Sequence, residues 1–366
     1  MTVTEQVDVP LAPLTTMRVG GPAARLVTVT TTDELVDAVR EADDAEVPVL
    51  VLSGGSNVVI SDAGFAGTVV KVATTGVRVE SADRCSGAFV RVAAGESWDD
   101  LVERAVAEGW VGVEALSGIP GCAGTTPVQN VGAYGQEVAQ TIATVRVWDR
   151  QARAVRSVAA ADCGFGYRTS TFKSATYGGT GRYVVLDVAF QLPLGDLSTP
   201  IRYADLATGL GVALGERAPL RQVREAVLEQ RRRRGMVLDA ADHDTWSCGS
   251  FFTNPVLTPE RLEELQARVA GQLGDGVLAP VYPGGPGLVK TSAAWLIERA
   301  GFGKGFGMPG PATLSTKHTL AVTNRGGATA ADILALARTV RDGVADRFGV
   351  VLENEPVLVG LSLGGV

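Results

Sequence analysis

Histidine is almost missing from this chain: 366 residues contain two, His243 and His318. The four cysteines, Cys85, Cys122, Cys163 and Cys248, are scattered and include no C-x-x-C pair. A zinc site has too few ligands to draw on, so no metal is expected. Without a disulfide framework, a reducing, cytoplasmic setting fits best. Apolar runs of membrane length are also lacking. The longest uncharged stretch, Ala115 to Gln136, is interrupted by Gly, Pro, Gln and Asn, so no membrane insertion is expected. The start, MTVTEQVDVPLAP, has neither the basic nor the apolar region of a targeting segment. An excess of basic charge is absent as well. The formal net charge of −7 argues against general nucleic-acid binding, while leaving room for a local basic pocket around an anionic small molecule. No G-x-G-x-x-G opens a helix, so a Rossmann fold is not indicated. No G-x-S-x-G elbow surrounds a serine, and histidines are scarce, so a hydrolase triad is not supported.

Apolar residues make up 46% of the chain and charged residues 20%, an ordinary globular balance over a length suited to roughly two to three domains. Glycine is plentiful, and it concentrates in one stretch, Leu116 to Gly135, LSGIPGCAGTTPVQNVGAYG. Five glycines, two prolines and no charge stand there among small hydroxyls and amides. Glycine lets bare backbone approach a ligand and tolerates positive φ. Consecutive N–H groups can surround phosphate oxygens. A tight loop without a ligand has the same composition. A second glycine word, Gly54-Gly55-Ser56-Asn57, follows the apolar run Val47–Leu52, which reads as a buried strand, and leads into a further strand, VVIS. Its backbone donors suit a pyrophosphate, and equally a plain turn.

Helices are expected where the apolar period is near 3.6. One follows Thr32 as N-cap, with Leu35, Val36 and Val39 on one face. Another follows Ser97, with Trp98, Leu101, Val102, Ala105 and Val106 inward and Asp100 at the third position. A third has Pro219 near its first position and ends at Gly235. Its Arg231–Arg234 run lies in the last turn, where cations suit the helix dipole. The last helix is capped by Thr329 with Asp332 three residues on, and buries Ile333, Leu336, Ala337, Val340, Val344 and Phe348. TVVKVAT, AFVRVAAG, ATVRVWD and RYVVLDVAFQL read as strands.

Three further words could carry chemistry. In Phe165-Gly166-Tyr167-Arg168-x-Ser170-x-Phe172-Lys173, the Arg168 fork suits a carboxylate or enolate, although a lone loop arginine is also a common surface ion-pair partner. Gly249-Ser250-Phe251-Phe252-x-Asn254-Pro255 puts a serine beside two aromatics, which by themselves could be a strand entering a core. Near the end, Leu352-Glu353-x-Glu355-Pro356 sets a carboxylate between apolar runs, or leaves it on an exposed strand edge.

Taken in order, these words resemble the UDP-N-acetylenolpyruvoylglucosamine reductases, the MurB flavoenzymes, of the type I branch. Ile119 to Gly135 matches the pattern IPG-x-x-G-[ST]-x-P-x-Q-N-[IV]-G-A-Y-G in register, and the resemblance runs from about residue 15 to 360. It implies an α+β chain: the two-lobed FAD-binding fold of the vanillyl-alcohol oxidase (PCMH-type) group, plus a third α/β substrate-binding domain. The expected division is residues 1–72, with 351–366 returning to them, as lobe 1; 73–218 as lobe 2; and 219–350 as the substrate domain. FAD would be held by Gly54, Gly55, Ser56 and Asn57 and by Gly118, Pro120, Gly121, Gly124, Thr125, Thr126, Gln129, Asn130 and Gly132. NADPH would reduce the FAD, and the enolpyruvyl UDP-sugar would then be reduced to UDP-N-acetylmuramate for peptidoglycan synthesis. The resemblance gives catalysis to Arg168, Ser250 (proton donor) and Glu355. It gives substrate binding to Tyr203 of Ile201–Leu206, to Arg234 where the family has a lysine, and to Asn254 and His318. The chain is expected to be a monomer. Two rivals stay open: a flavin oxidase or dehydrogenase on the same cofactor fold, and a nucleotide-binding scaffold that has lost its chemistry.

Overall fold

The computed structural model describes Thr4–Gly365, and its chain contacts divide into two compact units. The first is built from the residues before Pro10, Pro22–Gly55 and Phe65–Val237; the second from Pro10–Gly21, Ser56–Gly64 and the chain from Leu238 onward.

Two large sheets dominate the first unit. Val-rich segments with few polar interruptions suit strands buried on both faces, and Pro22–Val29, Phe65–Val72 and Val49–Leu52 accordingly pair in parallel. Thr4–Pro10 completes that sheet along its outer edge. The expected strand at Val47–Leu52 starts two residues later, because Val47 belongs to the turn that closes the preceding helix, its N–H donating to the Ala42 carbonyl. The second sheet is antiparallel, in the order Ala154–Ala159, Ile142–Asp149, Tyr183–Leu192, Gly87–Ala93 and Val77–Asp83. The edge strand Val77–Asp83 is mostly exposed and charged, so its apolar pattern is faint.

Helix Thr32–Asp44 covers the first sheet, and its N-cap is Thr31 rather than Thr32. Thr31 accepts from the Glu34 N–H while the Glu34 carboxylate accepts from the Thr31 N–H; only Thr31 lies three residues before a glutamate. Helix Trp98–Ala107 is capped by Ser97 and buries Trp98, Leu101, Val102, Ala105 and Val106 as expected. Trp98 meets Phe190 of the second sheet at 5.9 Å between ring centroids. One apolar cluster contains residues from both sheets and both helices. Helix Leu220–Arg233, which the sequence assigns to the opening of a substrate domain, packs within this first unit, Val223 and Val227 lying against Leu206 and Ala207. Pro219 is its N-cap rather than its first residue.

In the second unit, helix Ala330–Phe348 is the central element. Its Thr329–Asp332 capping box is present, and all six expected apolar positions are buried. Phe251, Phe252, Leu296, Ile297 and Phe348 join them in one core. The hairpin Ala312–Leu314 with Val322–Asn324 lies against this helix. Val357–Val359, near the chain end, pairs in parallel with Val58–Ile60. Among the described residues, no helix is long and apolar enough to cross a membrane, and no group of His, Cys, Asp and Glu could hold a metal.

Candidate active site

In the first unit the glycine-rich stretch folds as two short turns, Glu114–Leu116 and Ala123–Thr125, joined by extended backbone. Gly118 and Gly121 have φ of +71° and +118°, a region in which a side chain would be strained. Gly54 lies directly against this loop: a Cβ on Gly54 would come within 2.5 Å of the Gly121 Cα. The two glycine words therefore touch through bare backbone. Thr125 and Thr126 donate their hydroxyls to the Cys122 and Ala123 carbonyls at 2.7 and 2.8 Å, which holds the second turn. Asn130, buried with φ of +47°, donates to the Glu137 carboxylate and the Gly166 carbonyl, both at 3.0 Å, and accepts from the Ala139 N–H. Its amide braces the loop from inside. Gln129 and Pro120 are half-buried.

The arginine word docks on this same loop. Arg168 donates to the Gly132 carbonyl at 2.8 Å, and Ser170 donates to the Val128 carbonyl at 2.6 Å. Arg168 is half-buried, has φ of +53°, and lies over the Tyr167 ring at 5.5 Å. Ser170 also caps the short helix Thr171–Ser174, which explains the spacing of serine and lysine in the word.

Tyr203 stands at the N-terminus of helix Ala204–Leu210, exposed, with its ring edge-on to Tyr134 at 5.4 Å. Arg234 is tied to this helix through Asp205 at 2.9 Å. The structure thus brings Tyr203 and Arg234, well separated in sequence, into one cluster beside the end of the glycine-rich loop.

Tyr134, Arg231 and Lys71 of the first unit are among the groups that escaped the sequence reading. Tyr134 sits inside the G-A-Y-G word with φ of +50°, and burial pushes its phenol up. Arg231, read as one of four cations at a helix end, has its guanidinium pulled down to about 10 by burial. It donates to the Met236 carbonyl at 2.7 Å, and its Nε lies close to where a Gly118 side chain would be. Burial likewise lowers Lys71, whose Nζ donates to the Ser53 carbonyl just before the G-G-S-N word. A lysine in an otherwise apolar strand was the available signal.

The second unit holds the remaining words. Phe251 and Phe252 are fully buried, so their segment anchors in the core and leaves Ser250 half-buried at its start. The Phe251 carbonyl accepts from the Glu355 N–H at 2.8 Å, Phe252 bridges to Asn354, and Thr253 donates its N–H to the Glu353 carbonyl. The serine word and the terminal glutamates are therefore backbone partners, though far apart in sequence. Glu355 is half-buried and Glu353 exposed. Asn57 joins them: its side chain donates to the Glu355 carbonyl at 3.3 Å, and its own carbonyl accepts from the Val357 N–H. His318 lies in the turn after Ser315, two residues before Leu320, whose carbonyl accepts from the Phe251 N–H. Asn254 accepts from the Ala293 N–H at 2.9 Å and so steadies the start of helix Ala293–Arg299. All four cysteines are free thiols. Burial raises Cys163 to about 11 and Cys248 to about 12, which leaves both protonated and unreactive at neutral pH.

Comparison with known proteins identifies the family. Residues 23–157 match the FAD binding domain family, and residues 240–359 match the family "UDP-N-acetylenolpyruvoylglucosamine reductase, C-terminal domain". The UDP-N-acetylenolpyruvoylglucosamine reductase of Thermobifida fusca is 57% identical over 99% of this chain and 100% of its own length. That of Streptomyces coelicolor is 56% identical over 99% and 92%. Among solved structures, UDP-N-acetylenolpyruvylglucosamine reductase (MurB) from Thermus caldophilus superposes with a TM-score of 0.62 at 26% identity, covering 98% of this chain and 99% of that one. The expected α+β fold with an FAD-binding domain is borne out, and the chain belongs to the UDP-N-acetylenolpyruvoylglucosamine reductase family.

Proposed function

We propose that this chain carries out the NADPH-dependent reduction of the enolpyruvyl group of UDP-N-acetylglucosamine enolpyruvate to UDP-N-acetylmuramate, as a cytoplasmic monomer supplying peptidoglycan precursors. The observation that carries this reading is the pairing of the G-S-F-F-x-N-P word with the terminal glutamates, at the hydrogen bond between Glu355 N–H and the Phe251 carbonyl. A general flavin oxidase has no need of that pairing.

The residues present fit FAD. The glycine contact between Gly54 and Gly121 leaves no space for side chains where a dinucleotide backbone site needs bare amides, and Lys71 adds a cation next to the Gly54-Gly55 turn. When bound, FAD would supply a two-electron carrier that accepts hydride from NADPH and delivers it to the enolpyruvyl methylene carbon. Gly54, Gly55, Ser56, Asn57 and the loop from Gly118 to Gly132 would hold it, mainly through backbone, since Thr125, Thr126 and Asn130 already engage protein groups. Arg168 would stabilise the negative charge that builds on the substrate carboxylate and enolate, as a preorganised donor held by Gly132. Glu355 would assist at the same charge, through a hydrogen bond or as its protonated form. Ser250 would deliver the proton to the adjacent carbon; a hydroxyl is a weak acid, so it needs a relay to recover that proton. Tyr203, Arg234, Asn254 and His318 would orient the UDP-sugar.

Anaerobic visible spectroscopy tests the whole assignment. NADPH should bleach the flavin band, and the enolpyruvyl UDP-sugar should restore it. Ser250→Ala should still bleach with NADPH but lose the recovery by at least about 100-fold. Equal recovery in the variant would remove Ser250 from the proton path, and absence of protein-bound flavin after FAD is added and the excess removed would end the cofactor reading.

A further inference from the structure

Glu114 is fully buried, and burial of a carboxylate needs strong compensation. Its compensation is neutral and comes from three segments. Oε2 accepts from the Gly112 N–H at 2.7 Å. Oε1 accepts from the Thr199 N–H at 2.8 Å, from the Gln136 side-chain amide at 2.8 Å, and from the Thr199 hydroxyl at 3.3 Å. Gln136 closes the set: its Nε2 also donates to the Thr199 hydroxyl at 2.7 Å, and its Oε1 accepts from the Ala115 N–H at 2.8 Å.

The places of these residues in the chain give the network its meaning. Glu114 and Ala115 stand immediately before the glycine-rich stretch Leu116–Gly135, and Gln136 stands immediately after it. Thr199 comes shortly before Tyr203. Two contacts extend the connection: a Cβ on Gly135 would lie 3.0 Å from the Arg202 Cβ, and the Tyr134 and Tyr203 rings meet edge-on. One carboxylate therefore joins the entry of the loop, its exit and the segment that presents Tyr203.

We propose that Glu114 is a positioning residue for the reaction: it sets the shape of the cofactor loop and fixes the Tyr203 segment to it, so that cofactor binding and substrate placement are established together. This rests on the reading of Leu116–Gly135 as the FAD loop. The substitution Glu114→Gln keeps the side-chain volume but turns an N–H₂ toward at least one of the present donors, leaving buried groups unpaired.

The test is hydrogen–deuterium exchange of the full chain, with and without FAD, together with FAD titration of the apoprotein, for wild type, Glu114→Gln and Asp187→Asn. Asp187 is the control: it too is buried, and it pairs with Arg91 and Arg146 on the second sheet rather than with the loop. In wild type, FAD should slow exchange across residues 118–132. Glu114→Gln should speed exchange in both 116–135 and 199–203 and raise the FAD Kd, each by about tenfold or more, whereas Asp187→Asn should do neither. Thr199→Val, which exchanges the hydroxyl for a methyl and keeps the backbone N–H, should move both readouts in the same direction by less, and it serves if Glu114→Gln fails to fold. Unchanged exchange and Kd in both variants would overturn the proposal, as would an equal rise in the Asp187→Asn control. Were FAD to leave the wild-type loop amides unprotected, the FAD reading of the loop would itself fall, and this proposal with it, before any variant was compared.

Discussion

Arg168, Asn130 and Tyr134 are non-glycine residues held at positive φ, all on or against the same loop. Such conformations cost roughly 1–3 kcal/mol each and persist only where the surroundings impose them. Here the imposing contacts are visible: Asn130 is held by Glu137 and Gly166, and Arg168 by Gly132. Asp99 shows another local constraint. Its Oδ1 accepts from the Gly118 N–H at 2.6 Å, and both of its oxygens accept from the Arg224 fork. Burial opposes its charge, but Arg224 and the Gly118 amide outweigh that and hold the carboxyl below the usual range. A depressed folded-state value stabilises the chain above the unfolded value of about 3.9 and loses that contribution as pH falls through the folded one. Asp99→Asn should therefore cost roughly 1.5–3 kcal/mol at pH 7. The gap to wild type should narrow below about pH 4, as read by urea denaturation at each pH. A gap independent of pH would show that the charge contributes nothing.

At the scale of elements, local sequence was a good guide wherever a segment's partners lie within itself. The capping box of Ala330–Phe348 is complete between Thr329 and Asp332, and its apolar face repeats along one helix. Thr329→Ala should cost about 1 kcal/mol, seen as a lower melting temperature with unchanged flavin content. At the first helix the cap falls on Thr31 instead of Thr32, because two adjacent threonines look alike until the Glu34 side chain chooses between them. Sequence was a poorer guide at the sheet edge Val77–Asp83, where pairing with Gly87–Ala93 overrides a mostly polar pattern. The site divides in the same way. The words around Arg168, Ser250 and Glu355 were legible as words, but Tyr134, Arg231, Lys71 and Glu114 were not, because each matters through burial or partners distant in sequence. The contact between the two glycine words gives a further expectation. Gly54→Ala would force a methyl to within 2.5 Å of the Gly121 Cα, so that backbone must shift. FAD affinity should fall by at least about tenfold while far-UV circular dichroism stays unchanged. Full flavin retention in that variant would mean the contact does not shape the cofactor site.

For the whole molecule, the FAD-binding domain match lies within residues 23–157, inside the span of the first compact unit apart from the Ser56–Gly64 segment, and the reductase C-terminal match at 240–359 lies inside the second. A ligand that binds only the folded form stabilises it by mass action. FAD at about 100 times its Kd should add about 2.7 kcal/mol to the unfolding free energy of the part that binds it. Calorimetry of the apoprotein with increasing FAD should show a concentration-dependent rise in melting temperature, and an unmoved transition would mean that FAD does not bind the folded chain. The sequence by itself determined the family, the reaction class and the chief helices and strands, because these reside in contiguous words and in periodicities of a few residues. Tertiary structure alone decided which words become neighbours: Glu355 beside Phe251, Arg168 on Gly132, Glu114 across Gln136 and Thr199. Even the nearest of these partners, Glu114 and Gln136, stand 22 residues apart, beyond the reach of any local pattern. Their pairing follows from which polar donors and acceptors must find one another once the apolar segments have closed over them.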